Sequence, residues 1–249
     1  MKMNIIGLSD PGKVKHNNED HFTIIYPEFP SSPHIFAVSD GVGGRRAGEL
    51  ASVKSLQVIC NFLLSKYLTP QSIENYLMEA FKIANSDLRK TGEGHKELEG
   101  MGTTAVVAVI FDDMAFVCSV GDSRAYAIGK NGIKQITVDH SWTNELIKQG
   151  LINGKQAKSH PYRHHLTRAL GIDDLINPDI YKVEFNDFGW ILLCTDGLTE
   201  HISESEIQNI ILKLTDAQTI TKKLVQMALS RGGHDNITIV LGQINPPLV

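Results

Sequence analysis

The sequence predicts an α+β fold of four layers, α-β-β-α: two antiparallel sheets, a helical layer outside each, and an inserted flap. Two observations predict it. Short apolar runs of strand length, joined by tight turns, dominate the chain. The amphipathic helical segments arrive as one pair before mid-chain and another near the end. Neither pair has a core of its own, so each must cover a sheet face.

Residues 3–9, 22–26 and 34–39 read as short strands. A helix is expected over Arg46 to Lys66, from the apolar positions Leu50, Val53, Leu56, Ile59, Leu63 and Tyr67. A second begins at Thr69-Pro70, an N-cap with proline at the first helical position, and carries the stripe Ile73, Leu77, Phe81, Ala84 and Leu88. Residues 91–100 are a polar loop. Thr103 to Phe111 turns at Asp112-Asp113 into a strand from Met114 to Val120. Arg124 to Ile128 turns at Asn131-Gly132, a hairpin signal, into Ile133 to Val138. The stretch 139–175 is polar and histidine-rich, with one helical piece near Thr143 to Gln149, and reads as the flap. Strands resume at Ile180 to Phe185 and Trp190 to Cys194. The capping box Ser203-x-x-Glu206 opens a helix, another covers Ile220 to Ser230, and Ile237 to Gln243 is the last strand. With no repeat, low-complexity tract or linker, one domain is expected over 1–249.

Composition narrows the function classes. The 249 residues are 42% hydrophobic and 21% charged, and the net charge of -4 favours neither nucleic acid nor an anionic membrane surface. No apolar run reaches membrane-spanning length and no signal-peptide core is present at the N-terminus. Cys60, Cys118 and Cys194 sit apart inside apolar runs and read as buried free thiols of a reducing compartment, the cytoplasm.

Four aspartates carry the chemistry. Asp40, Asp122, Asp196 and Asp235 each sit at the end or the start of an apolar strand run, with glycine close by. Any one of them alone is an ordinary turn residue. As a set they suggest carboxylates that converge, repel one another, and are reconciled by a hard divalent cation such as Mg²⁺ or Mn²⁺.

Three other motifs compete. Asp40-Gly41-Val42-Gly43-Gly44 looks like a dinucleotide turn, but Arg46 and Ala47 miss the third small position. Cys118 and Arg124 fit Cys-x₅-Arg, the pattern of cysteine phosphatases. Cys118, however, lies inside an apolar strand, and Asp122 would face the phosphate. His160, His164 and His165 cluster with Arg163 and Arg168. No cysteine or carboxylate completes a zinc site, so a solvated basic surface is expected there.

Together the motifs resemble the metal-dependent protein serine/threonine phosphatases of type 2C, in their compact bacterial form. The matching stretches are Asn18-Glu19-Asp20, Asp40-Gly41-x-Gly43-Gly44 with Ala47-Gly48-Glu49, Met101-Gly102-Thr103-Thr104, and Val120-Gly121-Asp122-Ser123-Arg124. Further on come Asp139-His140-Ser141, His160-Pro161, Leu166 to Gly171, Thr195-Asp196-Gly197-Leu198 and Gly233-x-Asp235-Asn236-Ile237-Thr238.

The resemblance implies that Asp40 bridges two metal ions and that the Gly41 carbonyl binds one. Asp196 and Asp235 would complete the first site. Glu19 and Asp20 would act through metal-bound waters, and Asp122 would help hold a weaker third ion. It implies Mn²⁺ or Mg²⁺ as cofactors and a bridging hydroxide that attacks phosphorus in line with no phosphoenzyme. Phosphorylated proteins and a cognate serine/threonine kinase would be the partners. Lys15 falls where the family clamps phosphate with arginine, and Arg45 where bacterial relatives often carry histidine. These two departures motivate a rival reading, a weakly active phosphoprotein-binding or regulatory relative.

Overall fold

The computed structural model describes residues 3–29, 32–43, 47–112, 114–185 and 188–244. Two antiparallel sheets stack. The first runs in the order β1 (Asn4–Asp10), β11 (Ile237–Gln243), β10 (Trp190–Cys194), β7 (Arg124–Gly129) and β8 (Gly132–Gln135). The second runs β2 (Asp20–Ile25), β3 (His34–Val42), β5 (Ala105–Ile110), β6 (Met114–Val120) and β9 (Asp179–Glu184), with the short β4 (Gly102–Thr103) paired to the end of β3. The expected layers are all present.

Between the sheets, Phe36 and Val38 of β3 and Val106 and Ala108 of β5 meet Ile191, Leu193 and Val240 of the opposite sheet. The alternate residues of the same strands, Ile35, Ala37, Val107 and Val109, face outward. There they are covered by α1 (Ala47–Leu64) and α2 (Ile73–Gly92). This two-residue alternation lets one strand serve two cores, because successive side chains point to opposite faces. Leu56, Ile59 and Leu63 of α1 and Leu77, Phe81 and Leu88 of α2 are completely buried. Each such side chain is worth about 1.5–3 kcal/mol, so the stripe and not helix propensity holds these helices. On the far side, α6 (Glu204–Lys213) and α7 (Ala217–Ser230) cover Leu192, Ile239 and Leu241.

The second helix starts later than expected, at Ile73. Thr69 and Ser72 instead exchange hydrogen bonds in a turn, Thr69 N donating to Ser72 Oγ and Ser72 N to Thr69 Oγ1. It also runs on to Gly92, into the stretch expected as loop, and a 3₁₀ turn follows at Lys96–Leu98. The hairpin pairs Gly129 with Gly132, so its turn is Lys130-Asn131 and not Asn131-Gly132. The flap holds two helices, α3 (Trp142–Lys148) and α4 (Gly154–Lys158). The second had a capping-box signal of its own, Asn153 with Gln156. Its ends are tied down by bridges from Ser141 to Leu166 and from Thr103 to Leu170. The expected helix start at Arg46, Gly44, Arg45 and Asp113 lie outside the described residues.

Candidate active site

The aspartates converge at one end of the sandwich because strand pairing carries them there. Asp20 opens β2 and lies opposite Asp40 of β3 in the ladder. Asp40 itself is held by its backbone. Its N–H donates to Thr104 Oγ1 (2.9 Å), and its carbonyl accepts from Thr103 Oγ1 (2.8 Å) and Thr104 N (2.9 Å). Gly41 follows where no side chain fits, since a Cβ there would collide with the Gly48 carbonyl at the start of α1. That contact presses the first turn of α1 onto the strand end.

From the other sheet, β10 delivers Thr195 and Asp196. Thr195 Oγ1 donates to Asp20 Oδ2 at 2.8 Å and accepts from Thr238 N of β11 at 3.0 Å. Asp196 begins the short α5 (Asp196–Thr199), and a Cβ at Gly197 would strike the Asn236 carbonyl. Asn236, buried beside Asp235, fastens the N-terminal loop over the site. Its Nδ2 donates to Pro11 O and Asn17 O, each at 2.9 Å, and its Oδ1 accepts from Glu19 N at 2.8 Å. Lys15 on that loop reaches Asp235, Nζ to Oδ1 at 3.0 Å.

Asp122 follows Gly121, whose φ of 99° belongs to glycine. The Gly121 N–H donates to His140 Nδ1 at 3.1 Å, so the ring proton sits on Nε2, 3.0 Å from Asp179 Oδ2. Burial lowers the His140 pKa and keeps the imidazole neutral. Arg168 Nη1 donates to Asp179 Oδ1 at 3.0 Å. The arginine expected on a basic surface is instead part of the bracing behind Asp122.

Crowding shows in the electrostatics. Burial pushes the Asp20 carboxyl up to about 7, and Asp196 and Asp235 reinforce the shift. Burial first, then Asp20, Asp196, Asp122 and Asp235, drive Asp40 well above the ordinary carboxylate range. Asp122 is raised by burial and by Asp196. Asp20 Oδ1 and Asp196 Oδ1 are buried with no hydrogen-bond partner. Orphaned carboxylate oxygens among like charges are a donor set suited to a divalent cation, so these residues fit a metal centre. The opposite sign holds at Lys15. Burial pulls its ammonium down, but Asp235, with Glu19 and Asp40 behind it, outweighs that and raises its pKa.

A cleft of about 920 Å³ opens beside this end, lined by Asp122 and Asp196 and by the flap residues Asn144, Ile147, Arg163 and His164. The cysteine alternative has no place in it. Cys118 is fully buried in β6, and burial drives its thiol pKa far up. Arg124 forks onto Asp139, Nε to Oδ1 at 2.9 Å and Nη2 to Oδ2 at 2.6 Å, and is not free to clamp a phosphate.

A family model, Protein phosphatase 2C, matches residues 7–237. The chain belongs to the protein phosphatase 2C family. It is thus an enzyme of the metal-dependent serine/threonine phosphatase class. Among relatives, it is 34% identical over 239 residues to serine/threonine phosphatase stp of Listeria welshimeri, covering 95% of this chain and 94% of that one. It is 33% identical to protein phosphatase PhpP of Streptococcus pneumoniae over 98% of both chains. The crystal structure of serine/threonine phosphatase Stp1 from Staphylococcus aureus superposes with a TM-score of 0.93 at 32% identity, over 98% of this chain and 96% of that one. The Mycobacterium tuberculosis phosphatase PstP/Ppp gives 0.84 at 29%, over 97% and 98%.

Within this type 2C phosphatase, Asp20, Asp40, Asp122, Asp196 and Asp235 are linked through one electrostatic cluster. Glu19 lies at its edge, raised by burial against the pull of Lys15. The supporting residues Thr103, Thr104, Thr195, His140 and Asn236 fall in the matching motifs, but the sequence assigns none of them a role of its own. Each lies next to or near a conspicuous residue, but its partner is distant in sequence. One expectation is corrected. His164 does meet carboxylates, Asp196 and Glu200, whereas His160 and His165 make tilted ring contacts with Tyr162.

Proposed function

We propose that Asp40, Asp196, Asp235 and the Gly41 carbonyl hold two core ions, Mn²⁺ or Mg²⁺, and that Asp122 helps hold a weaker third. The observation that carries this reading is the convergence of buried, mutually repelling carboxylates with orphaned oxygens at Asp20 and Asp196. Ions held there would supply Lewis-acid chemistry for in-line attack by water on phosphorus, with no phosphoenzyme. Asp40 would hold the ions, and its backbone bonds to Thr103 and Thr104 keep it in place. Glu19 and Asp20 orient water beside the site. Lys15, paired with Asp235, attracts the phosphate dianion. The leaving alkoxide takes its proton from water, because arginine at position 45 stays protonated.

The substrates are phosphoserine and phosphothreonine proteins, and a cognate serine/threonine kinase supplies them. One catalytic domain spans 1–249. The three buried free thiols support a cytoplasmic setting. Among the described residues no helix is long and apolar enough to cross a membrane.

The test is phosphate release from a phosphothreonine peptide by chelator-stripped protein. Activity is expected only after Mn²⁺ is added back, and iodoacetamide treatment should leave it unchanged. Full turnover in excess chelator, or loss on alkylation, contradicts the proposal. Lys15→Ala should raise KM about 3–10-fold, the loss of one charge-assisted contact of about 1 kcal/mol. Lys15→Arg should lower KM by offering a planar fork. If Lys15→Ala and Lys13→Ala both match wild type at low salt, Lys15 is not the clamp.

A further inference from the structure

One polar residue stands in the apolar face of α2. Asn85 lies one turn after Phe81 and one turn before Leu88, and only 3% of its surface is exposed. A buried amide is costly unless it is hydrogen-bonded, and Asn85 is bonded at both ends to the flap's C-terminal end. Its Oδ1 accepts from Gly171 N at 2.8 Å, and its Nδ2 donates to Asp173 O at 2.9 Å. These partners fix the amide's orientation, since a backbone N–H only donates and a carbonyl only accepts. Gly171 has a φ of 88°, and a Cβ there would stand 2.7 Å from the Met101 carbonyl oxygen, so the flap leaves by a tight passage between Met101 and α2. The preceding residue, Leu170, is completely buried and is bonded to Thr103 in both directions. Thr103 N donates to Leu170 O at 3.0 Å, and Leu170 N to Thr103 O at 2.9 Å. Thr103 Oγ1 in turn donates to the Asp40 carbonyl. A continuous path of hydrogen bonds and backbone therefore runs from Asn85 to Asp40.

We infer that Asn85 is a positioning residue for the phosphatase reaction. From the outer helical layer it pins the flap's C-terminal end, and through Leu170 and Thr103 it sets where β3 presents Asp40. Asn85 does not itself line the cleft. The inference rests on the reading of Asp40 as a metal ligand. The other tie between α2 and this turn, Arg89 to Asp174, joins more exposed side chains and contributes little. Without Asn85, Gly171 N and Asp173 O lose their buried partner, and the turn must shift to find water. Leu170 shifts with the turn, and Thr103 follows because the two are bonded in both directions. A small displacement at a reacting centre is costly even when its source is remote. A residue that only stabilised the fold would lower the melting temperature and leave kcat alone.

Asn85→Leu keeps the side chain's shape and removes both bonds. In chelator-stripped protein, the amides of Thr103, Thr104 and Leu170 should exchange with solvent about 10-fold or more faster than in wild type, while β6 and β10 keep their protection. With Mn²⁺ restored, kcat should fall about 10-fold for para-nitrophenyl phosphate and for a phosphothreonine peptide alike. The small substrate has no peptide to dock on the flap, so its loss reports on the centre that holds phosphate. Phe81→Leu, an apolar change on the same helix face, should lower the melting temperature and alter neither the local exchange nor kcat. Asn85→Ala carries the test if the leucine variant does not fold. Water can enter the space it leaves, so the same changes are expected in smaller measure. Wild-type exchange at Thr103 and Leu170, or a kcat that matches Phe81→Leu, overturns the inference and leaves the metal-centre reading standing. Wild-type turnover in Asp40→Ala overturns both.

Discussion

Asp40→Ala should lower kcat for a phosphothreonine peptide by about 10³-fold or more, a loss of about 4 kcal/mol of transition-state stabilisation. The proposed bridging carboxylate is removed, and the neighbours Asp20 and Asp235 are held in their own positions by Thr195 and Lys15. The fold should survive. What anchors position 40 is its backbone, through Thr103 and Thr104, and those bonds do not involve the carboxylate. In chelator at neutral pH the variant should melt no lower than wild type, since one of several mutually repelling charges is gone. Steady-state phosphate release and a thermal melt check both parts. A variant with near-wild-type turnover would remove Asp40 from the mechanism, and a variant that fails to fold would show that the carboxylate, not the backbone, holds this strand end.

Without divalent ions, the protein should be more stable in mild acid than at neutral pH, the reverse of ordinary acid denaturation. Asp20 titrates near 7 in the folded chain against 3.8 for a free aspartate, and Asp40 and Asp122 are shifted in the same direction. A raised carboxyl pKa means that the folded state binds protons more tightly than the unfolded one. Its contribution is complete below the unfolded pKa and is lost as pH rises through the folded value. The window here runs upward from 3.8 to about 7, and the loss is on the order of a few kcal/mol. Metal binding requires the deprotonated carboxylates and releases their protons. Saturating Mn²⁺ should therefore reverse the order. Urea midpoints at mildly acidic and mildly alkaline pH, in chelator and in Mn²⁺, give the four values needed. A midpoint in chelator that climbs toward neutral pH would mean that the carboxylates are not crowded.

Much of this was present in local pattern. Short apolar runs marked the strands, and the stripes on α1 and α2 marked which helix face is buried. Glycine beside the aspartates marked where backbones crowd, and Gly41 and Gly197 are indeed places with no room for a Cβ. The errors were also local. Proline after Thr69 suggested a helix start, but Thr69 and Ser72 satisfy each other's backbone in a turn. Asn-Gly suggested the hairpin turn, but the register placed it one residue earlier.

The residue types and their positions beside strand ends and glycines follow from chain chemistry within a few neighbours, and a single sequence displays them. Which carboxylates share a site does not follow. Asp20 meets Asp40 through strand register, and Thr195 reaches Thr238 across the pairing of β10 with β11. Asn236 reaches back to Pro11 and Asn17, and His164 finds Glu200 only when the flap folds over the cleft. The contacts within one sheet need its strands paired in register, and those across the sandwich need the two sheets to close on a common core. They arise from the burial of Phe36, Val38, Leu193 and Val240 together, not from any signal in the residues that make them.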